Sequence, residues 1–90
     1  MIHKLKNRSR TEIVATILEA ANGGATKTKI MYKAFVSYAQ LREYLSVLLE
    51  NNLIYIEGTQ TYKTTEKGLN FLKMHDEIGE LLQITIKNNN

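Results

Sequence analysis

The chain has 90 residues, a net charge of +3 and no cysteine, and at this length roughly 60 to 65% of the unfolded surface is buried on folding. We therefore expect one domain with a modest core, without disulfides, thiolate metal sites or a cysteine nucleophile. Neither an apolar run of ~20 residues nor an apolar leader is present, and we expect a soluble, cytoplasmic protein.

The charge is polarised along the chain. Residues 1–42 hold eight basic and two acidic residues, a balance of +6, whereas residues 43–90 hold four basic and seven acidic residues, a balance of −3. Such asymmetry indicates that one end faces a polyanion, unless solvated helix faces merely cluster by sign.

A polar, basic arm over residues 1–8 precedes the first predicted helix. Ser9 and Glu12 have the spacing of a capping box, which marks a helix start. Apolar residues then recur at helical spacing as far as Ala21. The sequence Asn-Gly-Gly at 22–24 predicts the end of this helix, because glycine readily adopts the left-handed conformation found there.

Two further helices are predicted before residue 52. Thr26 or Thr28 can cap a short helix that runs to about Ala34. A second capping box, Ser37 with Gln40, starts a helix over residues 37–51. Leucines spaced along one face of that helix predict a buried side, and the opposite face is too polar to belong to the core.

The remaining sequence predicts a hairpin and a last helix. Residues 53–56 and 60–64 favour strands around a tight turn at Gly58-Thr59. Thr65 can cap a helix over 65–86, before a polar tail at 87–90. Five apolar residues of this helix follow or widen a heptad spacing, which predicts a dimerisation seam: Phe71, Met74, Ile78, Leu81 and Leu82.

This order of elements is that of an α+β, mainly α, winged helix-turn-helix domain over residues 9–64 with a C-terminal dimerisation helix. The segments KTKIMY at 27–32, SYAQL at 37–41 and TEKGL at 65–69 resemble small archaeal winged-helix proteins, especially the chromatin-associated ten-a type. That resemblance implies DNA binding as a homodimer, without catalysis. The last helix departs from the ten-a pattern, since it holds only about two heptads and contains Gly79, which costs roughly 1 kcal/mol in a helix interior.

Double-stranded DNA is the expected partner, with the helix at 37–51 in the major groove. Gln40 can read adenine with its amide, but the same side chain is needed for the capping box, and the two roles compete. Arg42 can contact guanine or phosphate, and the lysines before the helix can bind phosphates, although each lysine taken alone is better interpreted as a solvated surface charge. The predicted contact residues are Arg8, Arg10, Lys27, Lys29, Lys33, Ser37, Tyr38, Gln40, Arg42, Glu43, Ser46 and Lys63.

Other function classes have weaker support. The five tyrosines suggest base stacking, but packing of Tyr44 and of one or both hairpin tyrosines in the core is the stronger interpretation, with Tyr38 as the exception to test. His3 and His75 stand apart from any catalytic or metal-binding pattern, so no enzyme, metal or cofactor is expected. The serious alternative is a winged helix that binds proteins rather than DNA.

Overall fold

The computed structural model describes the backbone of residues 8–88 and side chains of residues 8–83. The elements along the chain are α1 (Arg10–Ala21), α2 (Lys27–Ala34), α3 (Tyr38–Glu50), β1 (Ile54–Glu57), β2 (Thr61–Thr64) and α4 (Glu66–Asn88). Each predicted helix and strand is present with bounds within two residues of those expected. Residues 1–7 of the predicted arm and the last two residues of the tail lie outside the described backbone.

Local caps explain where the first two helices begin. At α1 the Glu12 N–H donates to Ser9 Oγ at 3.2 Å, and the Ser9 N–H donates to Glu12 Oε1 at 2.8 Å. The Ser9 backbone N–H, and after it the Ser9 side chain, stabilise the charged carboxylate and lower the pKa of Glu12 below its ordinary value. At α2 Thr26 is the cap rather than Thr28, since Thr26 Oγ1 accepts from the Lys29 N–H.

The core lies between the three helices and the hairpin. Its largest fully buried side chains come from every one of these elements except β2: Ile17, Leu18, Ile30, Leu41, Leu48 and Ile54. Burial of such a side chain stabilises the fold by about 1.5–3 kcal/mol, so a chain of this size depends on each of them. Tyr62 is buried and Tyr44 is half-buried against the same cluster, which confirms that these tyrosines pack in the core.

The hairpin is tied to the helices by its backbone. β1 and β2 pair in antiparallel register, with Ile54 opposite Thr64. Ala25, in the loop between α1 and α2, exchanges two backbone hydrogen bonds with Tyr62 at 2.9 and 2.8 Å. The Thr64 hydroxyl also donates to the Leu18 carbonyl at 2.6 Å. The pairing of Ala25 with β2 is not predicted from the sequence, because a bridge of one residue leaves no periodic pattern.

The first half of α4 packs on the domain and the second half does not. Thr65 Oγ1 accepts from the Gly68 N–H at 3.0 Å, which confirms Thr65 as the cap. Leu72, absent from the predicted seam, is buried, and Phe71, predicted in the seam, is half-buried against the core and stacked on His75. From residue 76 to residue 83 every side chain is exposed. The helix reaches Asn88, two residues beyond the predicted end at 86.

Gly68 is the position where α4 approaches the hairpin most closely. A Cβ there would collide with the Leu53 carbonyl oxygen and the Thr64 methyl group, whereas a Cβ at Gly79 meets nothing within 4 Å. We expect Gly68→Ala to lower the free energy of unfolding by about 1–3 kcal/mol, and the control Gly79→Ala to raise it by up to about 1 kcal/mol. Urea denaturation followed by circular dichroism measures both, and equal effects of the two variants would contradict the proposed close approach.

Candidate nucleic-acid interface

The turn between α2 and α3 sets the geometry of the site. α2 ends at Phe35, which has the left-handed values φ 55 and ψ 47, and the Phe35 N–H donates to the Met31 carbonyl. The Arg8 guanidinium donates to the Phe35 carbonyl oxygen at 3.1 Å. Ser37 then begins α3 two residues later. Sequence reasoning placed Arg8 in the arm as a DNA contact; the structure shows its guanidinium at the turn, against the backbone.

α3 divides into a buried and an exposed face as predicted. Leu41, Leu45 and Leu48 are buried, and Tyr44 and Leu49 are half-buried beside them. The exposed side chains include every predicted contact of this helix and its cap, namely Ser37, Tyr38, Gln40, Arg42, Glu43 and Ser46. The helix therefore offers a polar face to a partner while its apolar face holds it on the domain.

Gln40 occupies the capping box in the structure. Its backbone N–H donates to Ser37 Oγ at 3.1 Å, and its side-chain Oε1 accepts from the Ser37 N–H at 3.2 Å. Paired hydrogen bonds to adenine need this same oxygen as well as the amide nitrogen. Gln40 can therefore read adenine in that way only if its oxygen leaves the cap.

Tyr38 links the beginnings of α2 and α3. The Lys27 Nζ lies 5.9 Å and the Arg42 Cζ 6.0 Å from the centre of its ring, within the distance at which a cation is attracted to an aromatic face. Tyr38 itself is 55% exposed. Three residues that the sequence singled out separately thus form one group, which we call the Tyr38 cluster: Lys27, Tyr38 and Arg42.

Arg10 lies beside the exposed face of α3. Together with Val14 of α1 it lines an open depression, whose opposite wall is formed by α3 through Ala39, Gln40, Arg42, Glu43, Tyr44, Ser46 and Val47. Arg10 is predicted as one of the DNA contacts, and the structure brings it next to the exposed face of α3. Neither Arg10 nor any of the predicted contact lysines of α2 has an acidic ion-pair partner within the described part of the chain.

Lys63 is less available than the other predicted contacts. It is half-buried on β2, and its Nζ lies 3.3 Å from Glu57 Oε1 on the neighbouring strand. The β1–β2 hairpin, which is the wing of this fold, therefore has a net charge close to zero. Its tip at 58–60 is exposed and carries no charged residue. Lys67, which sequence reasoning did not select, donates to the Asn51 carbonyl at 2.9 Å and so closes the end of α3.

Two classes of site have no support in the described part of the chain. Over residues 8–88 no helix combines the length and the hydropathy that a membrane crossing requires. Within the same stretch, no three side chains of His, Cys, Asp or Glu are grouped so that they can hold a metal ion.

A helix with an exposed polar face, a tight turn before it and a two-stranded hairpin after it define a winged helix-turn-helix domain. Residues 7–83 match the family described as winged helix-turn-helix, and the chain belongs to this family. The match spans most of the sequence, including the first part of α4.

Among solved structures, the fold is similar to that of Sso10a-2, described as a DNA-binding protein from Sulfolobus solfataricus. The TM-score is 0.81, with 22% sequence identity over 91% of this chain and 90% of that chain. The expected resemblance to archaeal winged-helix proteins is thereby confirmed at the level of the fold. A comparison with curated proteins gave no match.

The capping role of Gln40 can be tested by the stability of the folded domain, independently of any contact with DNA. Gln40→Ala should lower the free energy of unfolding by roughly 0.5–1 kcal/mol, because the capping box is lost. Gln40→Glu retains an acceptor and places a negative charge in the positive first turn of α3, so it should leave stability unchanged or slightly higher. Ser46→Ala, on the exposed middle of the same helix, is the control. Chemical denaturation that finds Gln40→Ala as stable as Ser46→Ala would show that the cap contributes nothing.

Proposed function

We propose that this protein binds double-stranded DNA, as a transcription regulator or a chromatin-associated protein of the cytoplasmic nucleoid. In this proposal α3 enters the major groove, and the cations of α2 and α3 bind the phosphates that flank it. The Tyr38 cluster is the observation that carries the proposal, since it gathers one cation from α2 and one from α3 around a single exposed ring. The family and the resemblance to a DNA-binding protein support it.

The chemistry of the cluster suits a phosphate. The first N–H groups of a helix are not used within the helix, and together with the helix dipole they attract anions. Lys27 and Arg42 add full positive charges at that place, and the Tyr38 ring between them limits where each can lie. A phosphate bound here would fix the position of α3 on the duplex, without itself reading sequence.

Base reading by α3 is expected to be modest. Several exposed side chains of its first turns are either used in the cap, as Ser37 and Gln40 are, or acidic, as Glu43 is. Glu50, also exposed, adds further repulsion toward phosphates. We infer that the basic residues supply most of the affinity and that the protein discriminates weakly between sequences. With about six phosphate contacts, the logarithm of the binding constant should fall with the logarithm of salt concentration with a slope near −5.

Fluorescence anisotropy of a labelled duplex across a salt series tests the duplex proposal. Tyr38→Ala should weaken binding about 5- to 10-fold, because Lys27 and Arg42 lose the ring that orients them, and Tyr38→Phe should bind like the wild type. Lys27→Gln should reduce the magnitude of the salt slope by about one. The matched control is Lys73→Gln, which removes a charge from the exposed side of α4. Undetectable binding at low salt would refute the proposal and favour the protein-binding alternative.

We also infer that the protein is a homodimer formed through α4. Met74, Ile78, Leu81 and Leu82 are 57–65% exposed, although they are large and aliphatic. They lie within a helical arc on the part of α4 that extends beyond the domain, where a second copy of the helix can cover them. Phe71, half-buried in the core, can contribute only its remaining surface.

Replacing Ile78 and Leu81 together with glutamate should convert the dimer to a monomer, because two charges would be buried without partners. Light scattering measures the mass directly. Gln83→Glu, which adds a charge on the opposite side of the same helix, should remain dimeric. An unchanged mass for the double variant would rule out the seam.

A further inference from the structure

The two most exposed aromatic side chains of the protein lie together at the end of α2. Tyr32 is 83% exposed and Phe35 is 67% exposed. Both line one shallow depression, whose other lining residues are Thr16, Glu19, Ala20 and Lys33. We call Tyr32 and Phe35 the aromatic patch. It does not include any member of the Tyr38 cluster, and neither packing nor the proposed duplex contacts account for it.

The backbone of Phe35 is an independent observation at the same place. Among the described residues, positive φ occurs at three glycines, at Asn52 and at Phe35. Asparagine tolerates this conformation, but for a bulky residue it is a strained exception. Glycine or asparagine would end α2 with less strain. Because the Phe35 ring is mostly exposed, its burial adds little to the free energy of unfolding. Stability therefore does not explain why phenylalanine stands here, and strain of this kind points to a function.

The charges around the aromatic patch indicate what it binds. Residues 20–42 contain four basic residues and no acidic residue, and the exposed Lys29 and Lys33 lie on α2 close to Tyr32. Glu19, in the depression itself, is the one acidic neighbour among its lining residues. The exposed aliphatic side chains of α4 contrast with this, since they share their helix with Asp76, Glu77 and Glu80. Flat rings among cations match the bases and phosphates of a nucleic acid, whereas aliphatic side chains on an acidic helix match a protein.

We propose that the aromatic patch binds unpaired bases of single-stranded nucleic acid, with Tyr32 and Phe35 stacking on bases and Lys29 and Lys33 binding the phosphates between them. Bases within a duplex are stacked on one another and cannot offer their faces to these rings, so the site selects single strands. The Tyr38 cluster remains for duplex DNA. Single strands use the two rings of the aromatic patch and duplex DNA uses the Tyr38 cluster, whereas Lys29 and Lys33 can bind the phosphates of either. Substitutions in the rings or in the cluster therefore remove the two activities separately.

The test uses the full chain with oligo(dT) and oligo(rU), each of about 12 nucleotides, a length within the usual range for a single-strand site. Labelled oligonucleotides report affinity by anisotropy. Because the chain has no tryptophan, tyrosine emission can be followed directly and should be quenched when a base stacks on Tyr32. Tyr32→Ala and Phe35→Ala should each weaken binding about 5- to 50-fold, with duplex affinity changed less than about two-fold. Tyr55→Ala, at an exposed tyrosine of the hairpin, is the control and should have no effect.

Two further variants separate binding from folding. Phe35→Asn should raise the melting temperature, because asparagine tolerates the left-handed conformation, and should nevertheless weaken oligonucleotide binding. Opposite directions of change cannot arise from a loss of structure. Glu19→Gln should strengthen binding and Lys33→Gln should weaken it, because one removes repulsion of phosphate and the other removes attraction.

The outcomes distinguish this inference from the proposed duplex binding. If the wild type binds duplex DNA but neither oligonucleotide, the single-strand site is overturned and duplex binding stands; if it binds no nucleic acid, both fail. Unchanged oligonucleotide affinity in Tyr32→Ala and Phe35→Ala would also overturn the single-strand site. If the mass of these variants in light scattering then differed from that of the wild type, the aromatic patch would be assigned to contact between copies. Binding of either oligonucleotide that depends on both rings supports it, and the ratio of the two affinities shows whether the sugar matters.

Discussion

The left-handed turn at Phe35 is the constraint on which the functional surface depends. It ends α2, and α3 begins at Tyr38 only three residues later, with the Tyr38 ring within 5.9 Å of the Lys27 ammonium at the start of α2. Lys27 and Tyr38, eleven positions apart in the sequence, meet only because of this turn. The same backbone conformation directs the Phe35 side chain to solvent, and Arg8 holds the carbonyl of that residue from outside. A small alteration of the turn would therefore move both proposed nucleic-acid sites at once.

A domain of this size must use the same helix for stability and for recognition. The leucines of α3 are committed to the core, and its first turn is committed to the cap. Few side chains remain for reading bases, which is a physical reason to expect affinity to come from charge rather than from sequence-specific contacts. The basic α2–α3 surface and the aliphatic part of α4 lie on separate elements. The proposed binding of a nucleic acid and the proposed contact with a second copy therefore use different elements.

The interpretation of single residues was less secure than that of elements. Gln40 was equally consistent with a cap and with a base reader, and the structure places it in the cap. Lys63 was predicted as a wing contact, yet Glu57 lies against it across the hairpin. Phe71 was predicted in the dimer seam, but the neighbouring Leu72 is buried, and the direction of the helix brings part of Phe71 toward the core. Gln40 is held by Ser37, whose spacing the sequence does show. For Lys63 and Phe71 the deciding contacts lie on other elements, and their distances cannot be read from a linear pattern.

The helices, the hairpin, their order and the buried face of α3 follow from local patterns in the sequence. These features depend on interactions within about four residues, such as the capping boxes, or on apolar spacing with a fixed period. Three contacts depend instead on the packed fold: the Ala25–Tyr62 bridge, the hydrogen bond from Arg8 to Phe35 across 27 positions, and the approach of Lys27 to Tyr38. Such contacts arise from the packing of whole elements against one another. Their partners are therefore set by the fold, and no local signal in the chain announces them.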